Sequence, residues 1–314
     1  MKTSKMLLVS LLSICLLIGI SYEISRATVY ISDYSDFPAY PYNTGVYWTP
    51  GLGFVGCGPT TGAMILGYFQ NREGYSNLLT PPTPAGVDQG LATAKTLHGP
   101  GDHLGLYMQT GTDGFGGVYR IEPGLEGYVA SRGPEIIGAN IHNYSVDVMV
   151  HVSPIYGPGN PNGWNAYGPF GTSWTNDGNF WVQDISGNWH IDPALFRAWT
   201  AAKLAAGIPI FLTIDQDITE GGDHWVAMVG VDDTLDRYYY FDTIDTSEHW
   251  GPIIYADDTV GGGDHAITFL RTVELMDVIT PIEDGNGKVP EPTTMLLIGS
   301  GLIGLWGFRK KFKK

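Results

Sequence analysis

Residues 60–69 read Thr-Thr-Gly-Ala-Met-Ile-Leu-Gly-Tyr-Phe and are apolar on nearly every side of a helical wheel. A helix without a polar face cannot lie on a surface, so the rest of the chain must enclose it. Its start is marked by Cys57-Gly58-Pro59, because the missing N–H of a proline is not needed in a first turn. The material to enclose it lies far downstream. Residues 208–214, 225–231, 238–241 and 266–273 are runs rich in β-branched and aromatic side chains, separated by Asp, Gly and Thr, and they predict an antiparallel sheet. A buried helix early and a sheet late define an α+β domain.

Two further helices are expected at 87–97 and 193–206, the second from the stripe Leu195, Ala198, Trp199, Ala202 and Ala206. Residues 30–56 are aromatic and turn-rich and predict an extended arm with short strands. The stretch 98–190 is dominated by Gly, Asn, Pro, Tyr and Trp, including Tyr156-Gly157-Pro158-Gly159-Asn160-Pro161. It predicts loops and short strands without long helices, an insertion in the domain.

The two ends belong to trafficking. Lys2 and Lys5, an apolar stretch at 6–20, and Ser25-Arg26-Ala27 form a secretory leader cleaved after Ala27. Ile14 precedes Cys15 where lipid attachment would want a small residue. The exported chain therefore carries one thiol, Cys57. At the other end Val289-Pro290-Glu291-Pro292 is followed by an apolar run at 294–308 and by Arg309, Lys310, Lys311, Lys313 and Lys314. The run is short for a free-standing span, which needs about 20 residues, and the basic cluster stays cytoplasmic, leaving 28–288 outside. An ordinary C-terminal membrane anchor is one reading. The order of the three features also resembles the PEP-CTERM sorting tail of Gram-negative bacteria that make exopolysaccharide. That resemblance implies recognition by a membrane exosortase, cleavage near Pro-Glu-Pro, and delivery to the envelope, cell surface or biofilm matrix. The chain thus divides into 1–27, 28–288 and 289–314, with signal peptidase and exosortase as processing partners.

Between Ala27 and Arg309 there are 9 Lys and Arg against 31 Asp and Glu, a balance that disfavours nucleic acid as a partner. No His-Glu-x-x-His, phosphate-binding loop or paired Cys-x-x-Cys occurs. The acidic clusters at Asp215 and Asp217, Asp232 to Asp236, and Asp257-Asp258 lack the spacing of a calcium-binding loop and read as solvated turn carboxylates. Neither a metal nor a cofactor is expected.

A single cysteine in an oxidising compartment has no internal disulfide partner, which directs attention to its reactivity. The thiolate is the nucleophile. A helix start favours it through unpaired N–H groups and the dipole, and a neighbouring imidazole favours it further. Of the eight histidines, His224 leads directly into the strand at 225–231, which would hold it rigidly. His265 is a rival, since Gly262-Gly263-Asp264-His265 leads into a strand in the same way. A third group should accept the other imidazole N–H. A short turn centred on Asp233 places Asp242 opposite His224, and a longer one, with Val231 opposite Tyr238, places Asp245 there.

The segments Gly56-Cys57-Gly58-Pro59-Thr60-Thr61-Gly62-Ala63-Met64, His224-Trp225-Val226-Ala227-Met228-Val229-Gly230 and Tyr240-Phe241-Asp242-Thr243 together resemble papain-like cysteine peptidases related to the double-glycine leader (bacteriocin-processing) peptidases. The resemblance implies a papain-like fold with the cysteine at the start of a central helix packed on an antiparallel sheet. It implies Cys57 as nucleophile, His224 as general base and then acid, and Asp242 as the orienting group. The expected activity is hydrolysis of a peptide or protein substrate through a thioester. One feature departs from the family: residues 28–56 contain no glutamine, the residue that usually shares stabilisation of the oxyanion. Asn43, Tyr47 or Thr49 are the substitutes on offer. The alternatives are a weak or inactive scaffold used for binding at the surface or in the matrix, and transfer of the acyl group to an amine.

Overall fold

The computed structural model of the chain describes residues 28–40, 48–49, 53–54, 56–80, 93–94, 103–109, 121–151, 174–175, 180–187, 189–214, 224–232, 234–245, 247–254 and 267–282. The leader, the tail, His265 and nearly all of the expected 87–97 helix lie outside these residues.

The described helices are α1 (Cys57–Glu73), α2 (Leu104–Tyr107), α3 (Ile121–Arg132) and α4 (Pro193–Ala205). The described strands are β1 (Val29–Tyr30), β2 (Trp48–Thr49), β3 (Gly53–Phe54), β4 (Glu135–Ile137), β5 (Asn140–His151), β6 (Trp174–Thr175), β7 (Trp181–Gln183), β8 (Trp189–Ile191), β9 (Ile210–Ile214), β10 (His224–Val231), β11 (Arg237–Phe241), β12 (Glu248–Pro252) and β13 (Ile267–Pro281). Helices and a mainly antiparallel sheet, in which β6 alone among the described pairs runs parallel to its neighbour β5, make this an α+β protein.

Two compact units divide the chain. The larger holds residues up to Gly133 together with Tyr144–Asp277. Its sheet runs in the order β12-β11-β10-β9-β13-β5, with β1 added beside β10. The smaller unit holds Pro134–Asn143 and residues from Val278 onward. There β4 pairs with the start of β5, Ile136 facing Ile141, and Ile282 donates its N–H to the Ala139 carbonyl at 2.8 Å.

Within the larger unit α1 packs on β9 and β10. It is the enclosed helix that its sequence demands, with every residue from Gly58 to Phe69 buried. The helix begins after Gly56, whose backbone is extended, and ends at Gly74, which adopts the left-handed conformation (φ 74°) that a glycine enters without strain. At Gly67 the N-terminal arm crosses so closely that an added Cβ would stand 2.7 Å from Tyr40 Oη and 2.8 Å from Pro38 Cγ. Strand β10 is buried along its whole length. It pairs with β9 from His224 to Met228 and with β1 at Gly230 and Val231, so β1 takes over where β9 stops.

Helix α4 follows its predicted span closely, capped by Asp192, whose Oδ1 accepts the Leu195 N–H at 2.9 Å, with Pro193 in its first turn. The stretch 98–190 departs from the expectation of loops and short strands, because it contains the 12-residue helix α3 and the 12-residue strand β5. Pro123 is tolerated in the first turn of α3. Gly124 and Gly127 let α2 approach, since added Cβ atoms would lie 2.6 Å from Met108 and 3.2 Å from Tyr107. In β5 the buried side chains alternate as Tyr144, Val146, Val148 and Val150, a period of two present in the sequence.

Candidate active site

The site is built from three pieces of the larger unit: the first turn of α1, the start of β10 and the residues just after β11. Cys57 is the first residue of α1 and a free, half-buried thiol. Gly56 supplies no side-chain cap, Pro59 has no N–H, and the Thr60 N–H donates to the Gly56 carbonyl at 3.2 Å. The N–H groups of Cys57 and Gly58 are therefore helix-start donors without an intrahelical acceptor.

Thr61 lies one turn after Cys57 and fixes this helix start against β10. Its hydroxyl donates to the Trp225 carbonyl at 3.0 Å, and Trp225 directly follows His224. That bond helps set Cys57 beside His224, near enough for the thiol to act on the imidazole. On its other side His224 donates from Nε2 to Asp242 Oδ1 at 2.9 Å. The bond to Asp242 occupies Nε2 and leaves Nδ1 for the thiol. His224 is 2% exposed and Asp242 5% exposed, so the dyad is shielded from bulk water.

Burial works against a charged His224, yet the hydrogen bonds to Asp242 and Cys57, with the negative charge of both partners, push it up to about 10. For Asp242 burial again opposes the charge. The His224 hydrogen bond and charge, the Ile244 N–H and the His249 charge outweigh it and hold the carboxyl below its ordinary range. The Ile244 N–H reaches Asp242 Oδ1 at 2.8 Å, fixing the carboxylate from its own chain. Behind Asp242, Phe241 is stacked by Phe37 and Tyr34 of the N-terminal arm, with ring centroids 5.7 and 5.9 Å away. The arm is held in turn by Glu248, which accepts from the hydroxyls of Tyr30 at 3.1 Å and Tyr34 at 2.8 Å.

The choice between Asp242 and Asp245 turns on one bulge. Val231 faces Tyr238, as in the longer of the two turns, but the register shifts between Met228 and Gly230, so that Ala227 faces Phe241. Val229 is the extra residue, and it draws β11 back by one position. One step beyond Phe241, Asp242 is level with Val226 and reaches His224 diagonally. Asp245 instead accepts from His249 Nε2 at 3.1 Å and from the Ser247 N–H at 2.7 Å.

Other residues of the sequence reading fall elsewhere. Asp232 is not a solvated turn carboxylate. It is 9% exposed, and its Oδ1 accepts from the Thr234 N–H, the Thr234 hydroxyl and the Leu235 N–H at 2.7, 2.8 and 2.9 Å, capping the β10–β11 turn. Asp215, Asp217, Asp257, Asp258, Asn43 and Tyr47 lie outside the described residues, and Thr49 ends the short strand β2. Among the described residues no group of three His, Cys, Asp or Glu could hold a metal ion. Sequence reasoning missed Thr61 and the Ile244 N–H. The second had a local signal in Asp242-Thr243-Ile244, since an aspartate often accepts from the N–H two residues on.

Comparison with known proteins identifies one end of the chain. Residues 288–311 match the PEP-CTERM protein-sorting motif. The motif marks an exported protein sorted by exosortase to the cell envelope or surface of a Gram-negative bacterium. No curated protein and no solved structure matches the chain. Among the described residues no helix is long and apolar enough to cross a membrane, and the apolar run of the PEP-CTERM tail lies outside them.

Proposed function

We propose that this exported, surface-sorted protein is a thiol hydrolase of papain-like fold that cleaves peptide bonds with Cys57, His224 and Asp242. The observation that carries the proposal is Cys57 at a helix start beside buried His224, which is hydrogen-bonded in turn to buried Asp242. His224 takes the Cys57 proton, and the thiolate attacks the substrate carbonyl carbon. The negative oxygen that results faces the helix start, where the Cys57 N–H is a donor. As the C–N bond breaks, imidazolium His224 protonates the leaving amine and a thioester to Cys57 remains. Water then attacks the thioester, His224 accepts its proton, and the acid leaves as the thiol reforms. Asp242 keeps Nε2 engaged throughout and stabilises the imidazolium.

The test is the pH dependence of Cys57 alkylation compared between the wild type and His224→Ala, followed by a peptide library assay with Cys57→Ala as the blank. A thiolate that stays reactive well below pH 8 and is lost in His224→Ala supports the proposal. Alkylation like that of free cysteine in both chains, with no peptide cleaved, overturns it. The absence of a glutamine between 28 and 56 favours a second reading, a scaffold that binds peptides without cleaving them, because losing one oxyanion donor slows catalysis on the order of a hundredfold or more. A Cys57→Ala strain with wild-type surface or matrix properties would favour binding. Transfer to an amine in place of water would appear as a product of higher mass.

A further inference from the structure

Three sequence-adjacent pairs meet around the first turn of α1: Cys57 with Gly58, His224 with Trp225, and Ile121 with Glu122. A Cβ added to Gly58 would lie 3.3 Å from Ile121 Cδ1 and 3.8 Å from Trp225 Cδ1. The Trp225 ring is held on a second side by the edge of Phe211, at 5.1 Å and 75°, and on a third by the Arg271 guanidinium, 4.7 Å from its centroid. Its carbonyl accepts from Thr61. Arg271 is fixed by an ion pair from Nε to Glu122 Oε1, which returns the path to α3 and Ile121. The contacts form a closed ring around the turn that presents the thiol.

The ion pair in that ring is fully enclosed, with Arg271 0% and Glu122 1% exposed. Burying two charges costs several kcal/mol per ion, and apolar side chains of similar volume often serve stability equally well. The pair does provide direction, because a planar guanidinium bonded through Nε to a carboxylate and laid over an indole has a favoured placement.

We infer that Trp225 is a positioning residue for the Cys57–His224 pair and that the buried Arg271–Glu122 ion pair, touching neither, holds it in place. The inference rests on the thiol hydrolase proposal. Because Trp225 is bonded to His224 through the backbone and packs on Gly58, a tilt of its ring moves the imidazole relative to the thiol. Release of the ring slows the reaction of the Cys57 thiol without removing any group that takes part in the chemistry.

The experiment measures iodoacetamide alkylation of Cys57 against pH in the full chain, for the wild type, Arg271→Met with Glu122→Leu, Arg271→Lys, and Trp225→Phe, with thermal unfolding of each. The charge-free double variant should keep a cooperative transition within a few degrees of the wild type. Its alkylation at pH 6 should fall tenfold or more, and Arg271→Lys should recover part of the loss. A folded double variant whose profile superimposes on the wild type overturns the inference. Should the double variant fail to fold, Trp225→Phe decides in the same way, a tenfold loss supporting the inference and an unchanged profile overturning it. A wild type that alkylates like free cysteine overturns the hydrolase proposal and the inference with it. A reactive wild type with unaffected variants removes only the clamp.

Discussion

Replacing Asp242 by Asn removes one charge from the site and little else. The amide keeps a carbonyl oxygen to accept from the Ile244 N–H, as Oδ1 does now at 2.8 Å, so the local turn survives. His224 loses the charge of the carboxylate that supplies the largest single cause raising it. Its rise from 6.5 to about 10 corresponds to roughly 5 kcal/mol, at about 1.4 kcal/mol per pH unit. Burial opposes this rise and stays in the variant. The midpoint of His224 should therefore fall from about 10 toward its ordinary value, by part of that energy. The sign follows from linkage. A group raised in the folded state contributes stability fully below its unfolded value near 6.5 and loses that contribution as pH rises through about 10. Wild-type stability should decline across that window, and Asp242→Asn should shrink the decline and move it to lower pH. Histidine-selective NMR titration gives the midpoint, with His224→Gln for assignment, and urea unfolding at pH 6, 8 and 10 gives the stabilities. A wild-type His224 midpoint near 6.5, or one unmoved in Asp242→Asn, refutes the reasoning.

Thr61→Val removes the hydroxyl that ties α1 to the Trp225 carbonyl and should destabilise the chain by about 1 kcal/mol. Urea midpoints read that loss, and Cys57 alkylation near neutral pH should slow severalfold alongside it. Gly67→Ala would press a methyl against Tyr40 and Pro38 at under 3 Å, an overpacking that costs about 1–3 kcal/mol; an unchanged melting temperature would show that the arm yields freely. Stability carried by ionised Asp242 is present above the ordinary carboxylate range and lost as pH falls through its lowered value. Acid unfolding of Asp242→Asn should accordingly be less steep than that of the wild type. Removal of residues 288–311 deletes the PEP-CTERM motif and should leave a chain that exosortase does not process, seen as loss of the envelope-associated form on fractionation with intact mass measurement.

The elements that read most clearly from sequence are those whose own side chains decide their fate. Helix α1 has no polar face, and β10 is apolar at almost every position, so each could only be interior. The start of α1 at Cys57 was legible from Pro59, and its end was extended to Glu73 by polar residues that need no burial. Helix α3 was not legible, because Pro123, Gly124 and Gly127 argue locally for a turn and are justified only by the approach of Met108 and Tyr107. In β5 the alternation of Tyr144, Val146, Val148 and Val150 was present but lay within a stretch whose composition pointed to loops. At the candidate site, residue types and order pointed to Cys57, His224 and Asp242, while the meeting of His224 with Asp242 and not Asp245 depended on a bulge at Val229 that no local pattern announces. Glu122 and Arg271, 149 positions apart, carry no mutual signal in a single sequence.

The contacts that finish the sheet join the two ends of the exported domain. Tyr30 meets Glu248 across 218 positions, and Thr61 meets Trp225 across 164. A chain crossing the membrane N-terminus first presents Cys57 long before His224 has emerged, and closing loops of this length is slow compared with forming a local helix. Cys57 and His224 are thus delivered at different times. While the chain is still threading outward, the Cys57 thiol stands at the start of a lone helix with no imidazole beside it. Only when Asp242 and the β12 strand have followed can the arm be clasped and the site close. The export machinery therefore never handles Cys57, His224 and Asp242 brought together.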